Sequence, residues 1–156
     1  MSDSPSMQAE IEHAASFRAE LRRFLARTET ATSEAGLTPQ RYDLLLAIKS
    51  AAGQATISEL CNHLQMRQTA VTELVKRAEE AGLVVRTQST VDRRVVLVSI
   101  TTEAETRLAR GFEALRDDRA ALSEALTALK NSLGEPHVEL HPALEPPAGF
   151  DAPPAA

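Results

Sequence analysis

The sequence predicts a mainly α-helical protein with one small antiparallel β-hairpin, a winged helix-turn-helix set between long N- and C-terminal helices. Three observations predict it. Two short helical segments meet at a tight turn near Gln65-Met66. Directly behind them, between Leu83 and Ile100, the apolar period changes from 3.6 to 2. Long amphipathic stretches lie on either side of that middle part.

The first stretch, from about Gln8 to Glu34, contains neither Pro nor Gly, and Phe17, Leu21, Phe24 and Thr28 repeat at helical spacing. Gly36 ends it. Thr38-Pro39 opens a second helix, because Thr caps well and Pro suits a first turn whose amide has no partner. Leu44, Leu45 and Ile48 mark its buried face, and Gly53 closes it. Thr56-Ile-Ser-Glu59 has the form of a capping box and starts a short third helix with Ile57, Leu60, Cys61 and Leu64 on its apolar side. A fourth covers about Arg67 to Ala81, with Val71, Leu74, Val75 and Ala78 on one face and Gly82 where a left-handed residue is wanted. The strand-like runs Leu83 to Gln88 and Val95 to Ile100 are joined by Ser89 to Arg94, a loop wider than a two-residue turn. Thr101 or Thr102 caps one last long helix, Thr102 to about Leu133, Glu105 completing a box if Thr102 is the cap. Four segments result: 1–36, an extension with a dimerisation helix; 37–101, the winged helix-turn-helix; 102–133, a second dimerisation helix; and 134–156, a Pro-rich acidic tail expected to be disordered.

Composition agrees. The 156 residues are 43% hydrophobic and 25% charged, suited to one core domain with extensions. Only 3% are aromatic, so Leu, Val, Ile and Ala must build the core. The absence of a long apolar run argues against a membrane span. One Cys and no leader-like start favour a cytoplasmic setting. The net charge is −5, but Glu135, Glu139, Glu145 and Asp151 place −4 of it beyond residue 130. The remainder is near neutral, so local placement of charge decides what the chain binds.

In a helix-turn-helix unit the second helix enters the DNA major groove. Opposite the apolar face of the fourth helix lie Thr69, Glu73, Lys76 and Glu80, with Gln68 and Thr72 at the flank; Glu80 falls beyond the groove. Gln68 suits adenine, and Thr69 and Thr72 offer hydroxyls to bases or phosphates and methyls to thymine. Arg67, Lys76 and Arg77 can reach phosphates. Arg93 and Arg94, at the hairpin tip, can enter a narrow minor groove or neutralise phosphates, with Asp92 pairing one guanidinium. The apolar stripes of the terminal helices exceed what the small middle part can cover, which calls for a second copy of the chain.

Other features weigh less. Cys61 reads as a small buried hydrophobe. His137 and His141 have a zinc-compatible spacing but stand between Pro136 and Pro142, so no metal is expected. His13 and His63 read as surface or hydrogen-bonded residues. No Gly-rich phosphate loop, nucleophile elbow or paired catalytic constellation is present, so neither an enzyme nor a cofactor is expected.

Pro39-Gln-Arg-Tyr-Asp-Leu-Leu, Thr56-Ile-Ser-Glu-Leu-Cys, the run from Thr69 to Val84, and Asp92-Arg-Arg-Val-Val-Leu-Val-Ser-Ile-Thr resemble the multiple-antibiotic-resistance regulator (MarR) family over residues 10–133. The resemblance implies a homodimer held by its first and last helices, with two recognition helices facing successive major grooves of a pseudo-palindromic operator. It implies transcriptional regulation, commonly repression relieved by a small-molecule effector. It matches Asp92, Arg93 and Arg94 to the wing and Thr69, Thr72 and Arg77 to positions near DNA. Phe17, Leu21, Tyr42 and Leu45 are the candidate walls of an effector pocket, and equally good as plain core. Two residues depart from the pattern. Glu73 stands where Arg is frequent, and a carboxylate there repels phosphates unless it accepts from cytosine N4. Arg67 stands where a small capping Ser is frequent, so the helix loses its cap or starts elsewhere. The expectation is a dimeric, sequence-specific DNA-binding transcriptional regulator; the alternative is a winged-helix module that binds a protein partner.

Overall fold

The computed structural model describes residues 7–133. The tail, with the His137/His141 pair, lies outside them. The element order is α1 (Met7–Glu34), α2 (Pro39–Ser50), β1 (Gln54–Thr56), α3 (Ile57–Leu64), α4 (Gln68–Glu80), β2 (Val84–Gln88), β3 (Val96–Ile100), α5 (Thr102–Ala114) and α6 (Arg116–Ser132). Two units divide it. The winged unit is 32–111; the terminal-helix unit is 7–31 with 112–133 among the described residues.

The winged unit forms where the local signals require. Thr38 caps α2 by accepting from Arg41 N at 3.3 Å. At the start of α3 the capping box is complete: Thr56 Oγ1 accepts from Glu59 N, and the Glu59 carboxylate accepts from Thr56 N at 2.7 Å. Those hydrogen bonds hold the Glu59 carboxyl below its ordinary range. Gln65 takes the left-handed conformation (φ 52°) that turns α3 into α4. Leu44, Leu45, Ile48, Leu60, Val71, Val75 and Val98 are fully buried, each larger one worth about 1.5–3 kcal/mol of hydrophobic stabilisation. Cys61 is buried among them, and burial pushes its thiol up, away from reactivity.

The sheet has a strand that the sequence reading lacks. β1, only three residues, pairs antiparallel with β3 (Ala55 opposite Val98), and β3 pairs with β2 (Arg86 opposite Val98), giving the order β1-β3-β2. A run so short shows no period-2 pattern, and its pairing with β3 is non-local. Thr101, not Thr102, caps α5: its Oγ1 accepts from Ala104 N and donates to the Gly82 carbonyl. With Thr101 as cap, the third helical position is Ala104, so Glu105 completes no box and instead pairs with Lys49. Gly36 (φ 74°) ends α1, and a Cβ there would lie 3.2 Å from Arg107 Nη1, which donates to the Gly36 carbonyl. Gly111, inside α5, has a packing reason: a Cβ would stand 3.3 Å from the Tyr42 ring.

In the terminal-helix unit the single last helix is corrected to two. The break falls at Leu115 (φ −100°, ψ 11°), itself buried. Arg119 Nη1 donates to the Phe112 carbonyl, and the guanidinium lies 3.7 Å from the Phe112 ring centroid. Apolar spacing continues across the break, which is why it could not be read from the stripe. Arg27 and Asp118 pair at 3.6 Å. His13 also departs from expectation: its Nδ1 is buried and holds no hydrogen bond.

Candidate nucleic-acid interface

The helix that would enter a groove is α4. Val71, Leu74, Val75 and Ala78 anchor one face in the core, and the opposite face is open: Gln68, Thr69, Thr72, Glu73, Lys76 and Arg77 are all exposed. Arg67 occupies the N-cap position with no side-chain cap, the consequence expected of a long cation in place of a small hydroxyl. Its first-turn amides are therefore not satisfied by a capping side chain. Arg41 Nη2 donates to the Arg77 carbonyl at 3.3 Å, pinning the last turn of α4.

Glu73 does not stand alone on the open face. Its Oε1 accepts from Arg77 Nε at 3.1 Å, one helical turn on. The two line a cleft of about 270 Å³ with Gln40, Met66, Ala70 and Leu74. Arg77, expected at a phosphate, is thus engaged within the protein.

The wing follows β2 and β3. A link absent from the sequence reading joins it to α4: the Glu79 carboxylate accepts from Arg86 Nη2 at 2.6 Å, Nε at 2.7 Å and backbone N at 3.3 Å. The Arg86 guanidinium holds the Glu79 carboxyl below its ordinary range, and the carboxylate raises Arg86 in turn. The backbone contact also occupies a donor on the free edge of β2. Seven residues separate the pair, across a helix end and a turn, a spacing with no motif to announce it.

At the wing tip, Asp92 Oδ1 accepts from Arg94 N at 2.9 Å, and Ser89 Oγ accepts from Val91 N at 3.2 Å. Asp92 was expected to hold a guanidinium. The Asx turn takes its carboxylate instead, since the neighbouring amide is closer along the chain than either guanidinium. Arg93 and Arg94 are exposed, and neither holds an ion pair among the described residues. The cations of the winged unit thus sort into two groups. Lys49, Arg77, Arg86 and Arg107 are paired with carboxylates, and Arg41 with a carbonyl. Among the described residues, the side chains of Arg67, Lys76, Arg93, Arg94 and, on α5, Arg110 hold no partner.

The four effector-wall candidates divide by unit. Tyr42 and Leu45 are buried in the winged unit's core; Phe17 and Leu21 on α1 are half-buried in the terminal-helix unit. Among the described residues no group of three or more His, Cys, Asp or Glu is placed to hold a metal ion, and no helix is long and apolar enough to cross a membrane.

Residues 35–95 match the sequence model of the MarR family. The chain is 32% identical over 87 residues to the HTH-type transcriptional repressor MdtR of Bacillus subtilis (strain 168). That match spans 56% of this chain and 53%, about half, of the relative's length. Two solved structures show the same fold. A cysteine-to-serine mutant of MarR from E. coli, complexed with operator DNA, is 21% identical at TM-score 0.63, over 74% of this chain and 86% of that one. BpsR of Bordetella bronchiseptica, whose DNA binding is regulated by 6-hydroxynicotinic acid, is 17% identical at TM-score 0.58, over 74% and 93%. Residues 35–95 run from the start of the winged unit through its recognition helix to the wing tip, and over them the chain is similar to the MarR family.

Proposed function

We propose that this protein is a dimeric, sequence-specific DNA-binding transcriptional regulator that acts as a repressor. One observation carries the reading: of the winged unit's exposed cations whose side chains hold no partner among the described residues, all but Arg110 lie on α4, at its start, or at the wing tip. Unpaired guanidinium and ammonium groups on those two elements are what a phosphate backbone neutralises. Gln68, Thr69 and Thr72 then reach base edges, Lys76 and Arg67 the flanking phosphates, and Arg93 or Arg94 the neighbouring minor groove.

The dimer rests on the terminal-helix unit. Met7, Ile11, Leu25, Phe112, Leu126 and Leu133 are exposed there, more apolar surface than a solitary chain keeps in water. A second copy covers it by two-fold pairing, and the two α4 helices then face a pseudo-palindromic site. Release by a small-molecule effector belongs to the same reading and is supported by the ligand-regulated relative. The protein works in the cytoplasm, and its action is binding rather than catalysis. A gel shift on the DNA flanking its own coding region, with and without aromatic acids as candidate effectors, tests this. A retarded band that weakens with an effector is expected. No retardation at low ionic strength would contradict the reading.

A further inference from the structure

Resting on the placement of α4 in the major groove, we infer that Glu73 and Arg77 act as one unit that reads a C·G base pair in each half-site. Glu73 would accept from the cytosine N4 amine and Arg77 donate to the paired guanine. The structure supplies the couple: an acceptor and a donor group bound to each other at 3.1 Å, both exposed, on the side of α4 turned away from the core.

The chemistry narrows the choice of base. A carboxylate accepts and cannot donate. In the major groove guanine offers acceptors at N7 and O6, and thymine an acceptor at O4 beside a methyl group. Adenine has a donor at N6, but an acceptor at N7 adjoins it. Cytosine alone offers a donor with no acceptor beside it on the same ring edge. Its partner guanine presents two acceptors, the complement of the four guanidinium N–H groups that Arg77 keeps after one is given to Glu73.

Charge makes the same demand. Between Gln68 and Glu80, α4 carries Glu73, Glu79 and Glu80 against Lys76 and Arg77. Arg86 neutralises Glu79. Glu80 falls beyond the groove, and Glu73, though paired with Arg77, is a desolvation cost against every base that cannot donate to it, which is how a polar group discriminates.

Selection of bound duplexes from a random library, for the wild type, Glu73→Ala and Glu73→Gln, tests the inference. Both substitutions fall on an exposed side chain, and thermal melting verifies that each variant folds. The wild type should fix one C·G pair per half-site, with about a tenfold loss when that pair is changed to A·T. Glu73→Ala should level that preference to about twofold and bind random DNA more tightly. Glu73→Gln should turn the preference toward adenine, since an amide matches N6 and N7 together. If both variants bind DNA and keep every wild-type base preference, the inference is overturned while the proposed function stands. If the wild type enriches no sequence at all, both fall.

Discussion

In the winged unit Leu44, Leu45, Ile48 and Leu60 are fully buried, whereas in the terminal-helix unit Ile11, Leu25, Phe112 and Leu126 keep 55, 55, 44 and 52% of their surface exposed. Both sets lie on helices with comparable apolar spacing. Among the described residues, the buried apolar core of the terminal-helix unit is Ala31 and Leu115. Periodicity therefore marks a face that must be covered, without saying what covers it. In the winged unit the cover is local: three short helices and a three-stranded sheet close on one another within eighty residues. For the terminal helices, the proposed cover is another copy of the chain.

The largest effect that sharpens this contrast is expected at Leu60. Leu60→Ala should cost about 2–5 kcal/mol in chemical denaturation, because a buried side chain is removed from a core with little room to relax. The cost should not depend on protein concentration. Leu25→Asp should behave in the opposite way. It should leave the circular dichroism of the isolated chain near wild type and raise the dimer dissociation constant at least about tenfold, one buried apolar contact being worth about 1.5–3 kcal/mol. Sedimentation equilibrium reads this, and an unchanged mass at dilution would break the comparison.

Arg94→Ala touches neither core nor stripe. It should weaken DNA binding about fivefold at low salt, reduce the salt slope by about one, and leave the dimer intact. Thr56→Ala should cost about 1 kcal/mol at neutral pH through loss of the cap. Its pH dependence has a definite sign. The folded-state carboxyl of Glu59 is lowered by its hydrogen bonds to Thr56. The box therefore stabilises fully above the unfolded carboxyl range and is lost as pH falls through the folded value. The gap between wild type and Thr56→Ala should narrow in acid, as followed by thermal melting across pH.

Much of the fold was legible because its signals are local. Thr38-Pro39, Thr56 to Glu59 and Gly82 each specify a helix end by their own chemistry, and the structure places the ends there. What was missed depends on partners distant in sequence or on backbone detail. β1 exists through its pairing with β3, the break at Leu115 leaves the apolar spacing untouched, and Gly111 answers to Tyr42. The candidate interface divides the same way. That Gln68, Thr69, Thr72 and Lys76 face outward follows from helical geometry. That Asp92 serves a backbone amide, Arg77 serves Glu73, and Glu79 clamps Arg86 does not. Each of these is a choice among several reachable partners, settled only when the side chains are placed.

Duplex binding followed across a series of salt concentrations, with the number of chains per duplex determined at saturation, tests the central claim most directly. Two chains per site, with log affinity falling linearly and steeply against log salt as several phosphates are neutralised, is the expected result. One chain per site, or an affinity indifferent to salt, would contradict it and point instead to a winged-helix surface built for a protein partner.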